Sequence, residues 1–103
     1  MFKVVKRDGE VAAFDIRKIT NAIEKAFKAT EKQFNTDIIE LLGLRVTADF
    51  QNKIKDSLID VESVQDSVET VLEQSGYSDV AKAYILYRKQ REKIRNMKST
   101  ILD

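Results

Sequence analysis

Four cationic side chains lie close together near the start of the chain, at Lys6, Arg7, Arg17 and Lys18. Arg17 and Lys18 fall in the first turn of a predicted helix, where free backbone N–H groups and the helix dipole favour negative charge. Cations at such a position, joined by two more on a nearby strand, are typical of a site that binds an anion such as phosphate. Solvated surface charges neutralised by nearby carboxylates are the alternative, and the spacing alone leaves both interpretations open.

A hairpin is predicted to hold the first pair of these cations. The dipeptide DG at residues 8–9 is typical of a two-residue type I′ turn, in which both central residues have positive φ. That turn predicts strands over residues 2–7 and 10–14, with Arg7 opposite Glu10. An isolated hairpin is only marginally stable in water, so its apolar side chains are expected to pack on the helices that follow.

The second pair is predicted to lie on the first of four helices. Asp15 offers an N-cap carboxylate, and apolar residues at helical spacing predict a helix over residues 16–29. Thr36 is a candidate N-cap for a second helix, whose apolar stripe extends over residues 38–54. Glycine weakens a helix interior, so a bend or a split is predicted at Gly43.

The second half of the chain predicts a short strand and two further helices. The apolar run at residues 58–60 is predicted to add a third strand, and a helix starts at Asp60 or Val61 and stops at Gly76 in a left-handed cap. Ser78 is predicted to cap the last helix, which runs about 20 residues. Six residues at helical spacing form a row along this helix: Tyr84, Tyr87, Arg88, Arg91, Ile94 and Arg95.

Composition excludes several classes of function. The chain has 103 residues, 43% of them hydrophobic and 34% charged, as expected for one globular domain. It has no cysteine and no histidine, which excludes disulfides, zinc ribbons and Cys/His catalysis. No apolar run is long enough to cross a membrane, and no signal-peptide pattern opens the chain, so we expect a cytoplasmic protein without a membrane partner.

No group of residues in the sequence is typical of a catalytic site, so we expect no enzyme activity and no catalytic or metal-ligating residues. Phosphate-binding motifs of the Walker or dinucleotide type are absent. The three tyrosines, at helical spacing, are expected in the core. The acidic residues of the third helix are expected on its solvent face, with no role beyond solubility: Asp60, Glu62, Asp66, Glu69 and Glu73.

Two ordered motifs resemble those of the ATP-cone family, the regulatory nucleotide-binding domain of ribonucleotide reductases. The opening motif reads VVKRDG at residues 4–9, followed by FD at 14–15, KI at 18–19 and AI at 22–23. The closing motif reads VAKAYILYR at residues 80–88. The resemblance covers nearly the whole chain and strengthens the anion-site interpretation. It implies an α+β, mostly α fold: a four-helix bundle capped by an N-terminal β-hairpin plus a short third strand.

The resemblance also implies a site for ATP or dATP, with Mg²⁺ accompanying the triphosphate. The implied roles are phosphate contacts from the hairpin and the first helix, base and sugar contacts from residues 12–18, and further contacts from the third and fourth helices. Family members often carry polar or acidic residues where Ala12 and Val61 stand, so these two contacts would be apolar or made by the backbone. The implied nucleotide-binding residues are Lys6, Arg7, Ala12, Ala13, Phe14, Asp15, Lys18, Val61, Gln65 and Lys89.

The tail of the chain suggests where such a domain would be found. Residues 91–98 resemble the linker into the catalytic domain of an anaerobic ribonucleoside-triphosphate reductase. We therefore expect residues 1–95 to form the nucleotide-binding domain and residues 96–103 to begin a linker to a catalytic domain in the same chain. ATP would favour and dATP would inhibit the reductase, with cone–cone oligomerisation as one route for the signal.

Two alternatives follow from other features. A nucleic-acid-binding or nucleotide-sensing module of a transcriptional regulator is suggested by residues 88–98, which hold six cations and one anion. A net charge of only +1 argues against nucleic acid as a partner. A plain interaction domain that has lost its nucleotide is the other alternative, and the retained cations argue against it.

Overall fold

The computed structural model describes the backbone of residues 1–102 and the side chains of residues 1–97. Within these residues the chain forms three short strands and four long helices, which confirms the predicted α+β, mostly α architecture. In chain order the elements are β1 (Lys3–Val5), β2 (Val11–Ala13), α1 (Ile16–Ala29), α2 (Thr36–Asp49), a 3₁₀-helix (Gln51–Lys53), β3 (Leu58–Asp60), α3 (Val61–Gln74) and α4 (Ser78–Leu102).

The three strands form one mixed sheet with β1 in the centre. β1 pairs with β2 antiparallel and with β3 parallel, which gives the order β2-β1-β3. Val4 lies opposite Ala12 on one side and Ile59 on the other. Ile59 is buried and Val4 is half-buried against the core. The third strand, predicted at residues 58–60, is thus confirmed.

The hairpin register differs by one residue from the prediction. Lys6, and not Arg7, faces Glu10, since the Lys6 N–H donates to the Glu10 carbonyl at 2.7 Å. The Gly9 N–H donates to the Lys6 carbonyl at 2.9 Å, and Gly9 has φ of +88°. The connection is therefore a three-residue loop whose last residue is left-handed, a hairpin type that Asp-Gly also suits.

The turn with positive φ at both central residues lies elsewhere, immediately before β3. Asp56 and Ser57 have φ of 52° and 62°. The flanking residues Lys55 and Leu58 exchange two backbone hydrogen bonds, of 2.8 and 2.9 Å. This two-residue reversal leads into β3 without a glycine, so it carries the cost of two left-handed side-chain-bearing residues.

Side-chain caps fix where the helices begin. The Asp15 carboxylate accepts the Arg17 N–H at 3.0 Å, so α1 begins where the sequence predicted. Asn35, and not Thr36, caps α2, because its side-chain oxygen accepts a backbone N–H of the first turn of that helix. The Asp60 carboxylate caps α3 in the same way. Each cap satisfies one backbone donor that the helix itself leaves free.

Helix α3 ends in a left-handed cap at Gly76, as the sequence predicted. Gly76 has φ of +86°, its N–H donates to the Glu73 carbonyl, and the Tyr77 N–H donates to the Leu72 carbonyl at 2.9 Å. This pair of bonds is the Schellman motif. Ser78 is the first residue of α4, and its hydroxyl donates to the Glu73 carboxylate at 3.1 Å instead of capping the helix as predicted.

Gly43 lies inside α2, which passes through it as one helix and ends at Asp49. The predicted split of the helix at Gly43 is therefore wrong. A Cβ atom at this position would lie 2.7 Å from Cγ2 of Thr20 on α1. A side chain at residue 43 would therefore require Thr20 to move, because α1 and α2 approach closely here.

The core lies between the helices and the inner face of the sheet. The hairpin packs on it through Phe2 and Phe14, whose rings lie 5.6 and 5.5 Å from that of Phe50. These contacts supply the support that an isolated hairpin lacks. None of the described helices is long and apolar enough to span a membrane.

Candidate functional site

A cavity of about 630 Å³ lies between the hairpin and helices α1, α3 and α4. The β1–β2 loop and β2 form one wall, the first turns of α1 and α3 form two others, and the middle of α4 closes the fourth side. Nine of the ten residues predicted as nucleotide contacts line it: Lys6, Arg7, Ala12, Ala13, Phe14, Asp15, Lys18, Val61 and Gln65.

The tenth predicted residue, Lys89, is not among the lining residues and is exposed. On α4 the cavity instead faces the row at spacings of three and four residues, and Lys89 lies off that row. Sequence reasoning noted this row but did not assign it to the site. The lining residues on α4 are Tyr84, Tyr87, Arg88, Arg91 and Arg95. Ile94, expected on the packed side of the same helix, is 52% exposed.

Cationic side chains outnumber acidic ones among the described residues that line the cavity. Three lining side chains are acidic, namely Asp8, Glu10 and Asp15. Seven are cationic: Lys6, Arg7, Lys18, Lys25, Arg88, Arg91 and Arg95. A concave, partly enclosed surface of one sign concentrates the field and favours a multiply charged anion.

Several of these cations have no protein partner. In the part of the chain that the structure describes, no hydrogen bond or ion pair engages the side chains of Lys6, Lys18 and Arg95. Lys18 lies in the first turn of α1, whose backbone donors also favour an anion. Of the four cations first noted in the sequence, only Arg17 lies outside the cavity lining.

Arg17 is held by its neighbour two residues back. Its Nε and Nη2 atoms donate to the two carboxylate oxygens of Asp15, each at 3.1 Å, while its side chain is 83% exposed. These side-chain hydrogen bonds and the backbone bond from Arg17 hold the pKa of Asp15 below its ordinary value. Asp15 therefore stays ionised, caps α1 and fixes the entry to the helix.

Arg7 lies at the centre of a polar cluster across the cavity. Its Nη1 is 2.8 Å from the Glu62 carboxylate on α3 and 3.3 Å from the Glu92 carboxylate on α4. Its Nη2 donates to Oε1 of Gln65 at 3.2 Å. The guanidinium thus connects the hairpin loop with both helices.

Arg88 makes a second junction, between α4 and α3. Its Nη1 lies 2.6 Å from the Glu69 carboxylate and 2.9 Å from that of Asp66. Burial alone would lower the pKa of Arg88, but the hydrogen bonds to both carboxylates outweigh it and the pKa lies above its ordinary value. For the neighbouring Tyr84, whose protonated form is the neutral one, burial raises the pKa, so the phenol stays protonated.

The acidic face of α3 therefore has structural partners, and the expectation that it serves solubility alone is wrong. Glu62 pairs with Arg7, whereas Asp66 and Glu69 pair with Arg88. These pairs could not be predicted from sequence patterns, because they join residues that are far apart in the chain.

Tyr87 offers a half-buried aromatic ring on the α4 wall. Two cations lie over this ring, Lys25 on α1 at 5.6 Å and Arg91 on α4 at 5.9 Å from its centroid. Tyr77 is also partly buried and lies outside the cavity lining: it packs on Phe27 of the core, as predicted for the tyrosines, and Lys32 lies over its ring at 5.4 Å. Only Tyr87 among the three is both partly exposed and close to several cations.

The arrangement can bind a polyanion that also carries an apolar, planar group. Cationic side chains and the α1 N-terminus serve the charged part. Small and apolar side chains at Ala12, Ala13, Phe14 and Val61 leave a less polar surface beside them. No group of three or more acidic, histidine or cysteine side chains that could hold a metal ion occurs among the described residues.

Comparison with known proteins gives consistent matches. The family model for the ATP cone domain matches residues 2–93. The chain is 44% identical over 101 residues to a vitamin B12-dependent ribonucleoside-diphosphate reductase of Thermoplasma acidophilum, covering 93% of this chain and 13% of that protein. It is 41% identical over 99 residues to a ribonucleoside-diphosphate reductase subunit alpha of Chlamydia pneumoniae, covering 89% and 9%.

A third relative is an anaerobic ribonucleoside-triphosphate reductase of Haemophilus influenzae, 36% identical over 103 residues, with 97% of this chain and 14% of that protein covered. The chain thus spans about a tenth of the length of these relatives. The family match extends over the hairpin, the sheet, helices α1 to α3 and α4 as far as residue 93, and so includes most of the residues that line the cavity. The chain therefore belongs to the ATP-cone domain family.

Proposed function

We propose that the chain is an allosteric domain that binds ATP or dATP in the cavity and thereby regulates a ribonucleotide reductase. The observation that carries this proposal is the cavity itself, in which Lys6 and Lys18 lie near the N-terminus of α1 and, among the residues that the structure describes, make no side-chain hydrogen bond or ion pair. Membership of the ATP-cone family and similarity to three kinds of reductase support the same function.

In this proposal the triphosphate lies near the hairpin loop and the start of α1. Lys6, Arg7 and Lys18 supply charge-assisted hydrogen bonds to phosphate oxygens, which are the strong ones among polar contacts. The base and sugar lie along β2 and the first turn of α3, against Ala12, Phe14 and Val61. Mg²⁺ would be held chiefly by the phosphates, since divalent magnesium uses few protein ligands when a triphosphate is present.

ATP and dATP differ by one hydroxyl group, so discrimination between them must come from the conformation that each stabilises. A ligand shifts an equilibrium only by its differential affinity for the two states. We propose that the reductase catalytic domain in the same polypeptide, or association between cones, reads that shift. An anaerobic ribonucleoside-triphosphate reductase is the proposed parent, on the resemblance of residues 91–98 to its linker and on the 97% coverage of this chain in that match.

Calorimetric titration of ATP and dATP into the isolated chain tests nucleotide binding. We expect saturable binding by the wild type and affinity about tenfold weaker or worse in Lys18→Ala, because a charged hydrogen bond to phosphate is lost. Lys28→Ala is the matched control, since Lys28 is an exposed lysine of the same helix and does not line the cavity. Absence of binding to either nucleotide would contradict the proposal, as would equal losses in the two variants.

Two further arms address the finer points. Titration with and without Mg²⁺ tests the role of the metal, and weaker triphosphate binding in EDTA is the expected result. Light scattering with dATP tests cone–cone association, for which an increase in mass is expected. An unchanged mass would place the signal in the rest of the parent polypeptide instead.

A further inference from the structure

The side chain of Arg7 makes three polar contacts, all through its two terminal nitrogen atoms. Its Nη1 serves the carboxylates of Glu62 and Glu92, and its Nη2 serves Gln65. A phosphate group that binds Arg7 end-on, with one hydrogen bond from each terminal nitrogen, needs an N–H group of Nη1 that a carboxylate already holds. In that geometry at least one of the two carboxylates leaves Nη1 when phosphate arrives.

Glu92 is the partner best placed to leave. Its contact with Nη1, at 3.3 Å, is longer than that of Glu62 at 2.8 Å. Its side chain is 48% exposed, so water can solvate the carboxylate as soon as the pair opens. Exposed pairs of this kind are individually weak, and a multiply charged phosphate is a stronger competitor for an arginine.

The pair between Arg7 and Glu92 also restrains the later part of α4. Every residue from 89 to 97 is exposed. Among the described residues, the Arg7–Glu92 pair is the one ion pair that joins this segment to another element of the fold. Loss of the pair would therefore free a helical segment that has little other side-chain packing, and segments of that kind open at low cost.

We infer that Glu92 competes with the nucleotide phosphate for Arg7, and that this exchange of ion pairs couples the nucleotide site to residues 89–97 of α4. The inference rests on the proposed function, since it requires a phosphate at Arg7. Coupling of this kind is reciprocal. The Arg7–Glu92 ion pair weakens nucleotide binding by the same factor by which bound nucleotide weakens the ion pair. Glu92 is thus a residue that sets affinity by positioning Arg7.

The first test is calorimetric titration of ATP into Glu92→Gln. Glutamine keeps the size and helix propensity of glutamate but removes the charge. We expect ATP binding about two- to fivefold tighter than in the wild type, which is the range of a weak ion pair. The charge-matched control is Glu40→Gln, an exposed residue of α2 outside the cavity lining, for which affinity should stay within about 1.5-fold.

The second test separates competition for Arg7 from simple repulsion of the ligand by Glu92. In an Arg7→Gln background, Glu92→Gln should no longer raise affinity, because the contested group is gone. A gain of the same size in that background would overturn the inference, since repulsion between Glu92 and phosphate does not need Arg7. Unaltered affinity in the single variant Glu92→Gln would overturn it as well.

The third test is amide hydrogen exchange of residues 89–97, which needs no affinity measurement. We expect faster exchange in the wild type with saturating ATP than without it, and equally fast exchange in Glu92→Gln without nucleotide. Exchange that is identical in all three samples would overturn the inference and leave the proposed function intact. A wild type that binds no nucleotide at all would overturn the proposed function, and this inference with it.

Discussion

One nitrogen atom of Arg88 on α4, Nη1, lies 2.6 Å from the Glu69 carboxylate on α3. The same atom is 2.9 Å from Asp66, one turn earlier on that helix. This junction joins α3 and α4. Because Arg88 and Tyr84 also line the cavity, the junction forms part of the cavity wall. It lies at the end of the closing motif whose resemblance first suggested the family.

Replacement of Arg88 by glutamine should lower the free energy of unfolding by about 1–2 kcal/mol, because it leaves two neighbouring carboxylates without their shared cation. Urea denaturation at pH 7 measures this loss. Lys82→Gln, an exposed site on the same helix, removes the same charge and should change stability by less than about 0.5 kcal/mol. Equal losses in the two variants would show that the junction adds no specific stability.

Replacement of Gly43 by alanine should cost about 0–2 kcal/mol, because the overlap of the new Cβ with Cγ2 of Thr20 costs about 1–3 kcal/mol and the better helix propensity of alanine offsets about 1 kcal/mol of it. Thr20→Ser removes that methyl group and keeps the hydroxyl, which bonds to the Arg17 carbonyl. A double-mutant cycle by urea denaturation should therefore give a smaller cost for Gly43→Ala in the Thr20→Ser background. Costs that simply add would mean that the two residues do not clash.

Replacement of Ser57 by glycine should stabilise the fold by about 0.5–1 kcal/mol, because glycine adopts the observed φ of 62° without the left-handed penalty. Gly76→Ala is the converse change, at φ of +86°, and should destabilise by about 1 kcal/mol. Thermal unfolding followed by circular dichroism measures both. A destabilised Ser57→Gly variant would contradict the turn geometry described before β3.

Acid should remove the contribution of Asp15 to stability. The pKa of Asp15 is lowered in the folded chain, so its contribution is fully present above the unfolded pKa of about 4 and is lost as pH falls through the folded value. Asp15→Asn keeps a good N-cap without the titrating charge. Urea denaturation at pH 2–7 should give a wild-type advantage over Asp15→Asn at neutral pH that disappears in acid. An advantage that does not vary with pH would rule out this role.

Three helix boundaries were predictable because short-range signals determine them. Asp15, Asp60 and Gly76 act within their own turns, and each marks the predicted start or end of a helix. Register at the hairpin was not predictable, because Asp-Gly suits both a two-residue turn and the observed three-residue loop. Gly43 was misinterpreted for a related reason: the sequence does not show which side chain of another helix approaches it.

The cavity was predictable in part. Residues 6–18 form one continuous segment, and both the cation spacing and the family resemblance pointed to them. The α4 wall was missed, because which face of a long helix meets the hairpin is decided by tertiary packing. The row of residues at helical spacing from Tyr84 to Arg95 was visible in the sequence. Lys89 does not belong to that row, and this spacing was a reason against choosing it as a contact.

The central claim is that a nucleotide occupies this cavity, and nitrogen-15 NMR titration of the 103-residue chain with ATP tests it most directly. We expect the largest shift changes at amides of the hairpin loop, β2 and the first turns of α1 and α3, including Gly9, Ala13, Lys18 and Gln65. Amides of α2 around Leu41 and Leu44 should stay unperturbed. Shift changes confined to the outer face of α4, around Lys89 and Lys93, would contradict the account and indicate that the nucleotide binds only to the basic surface of that helix.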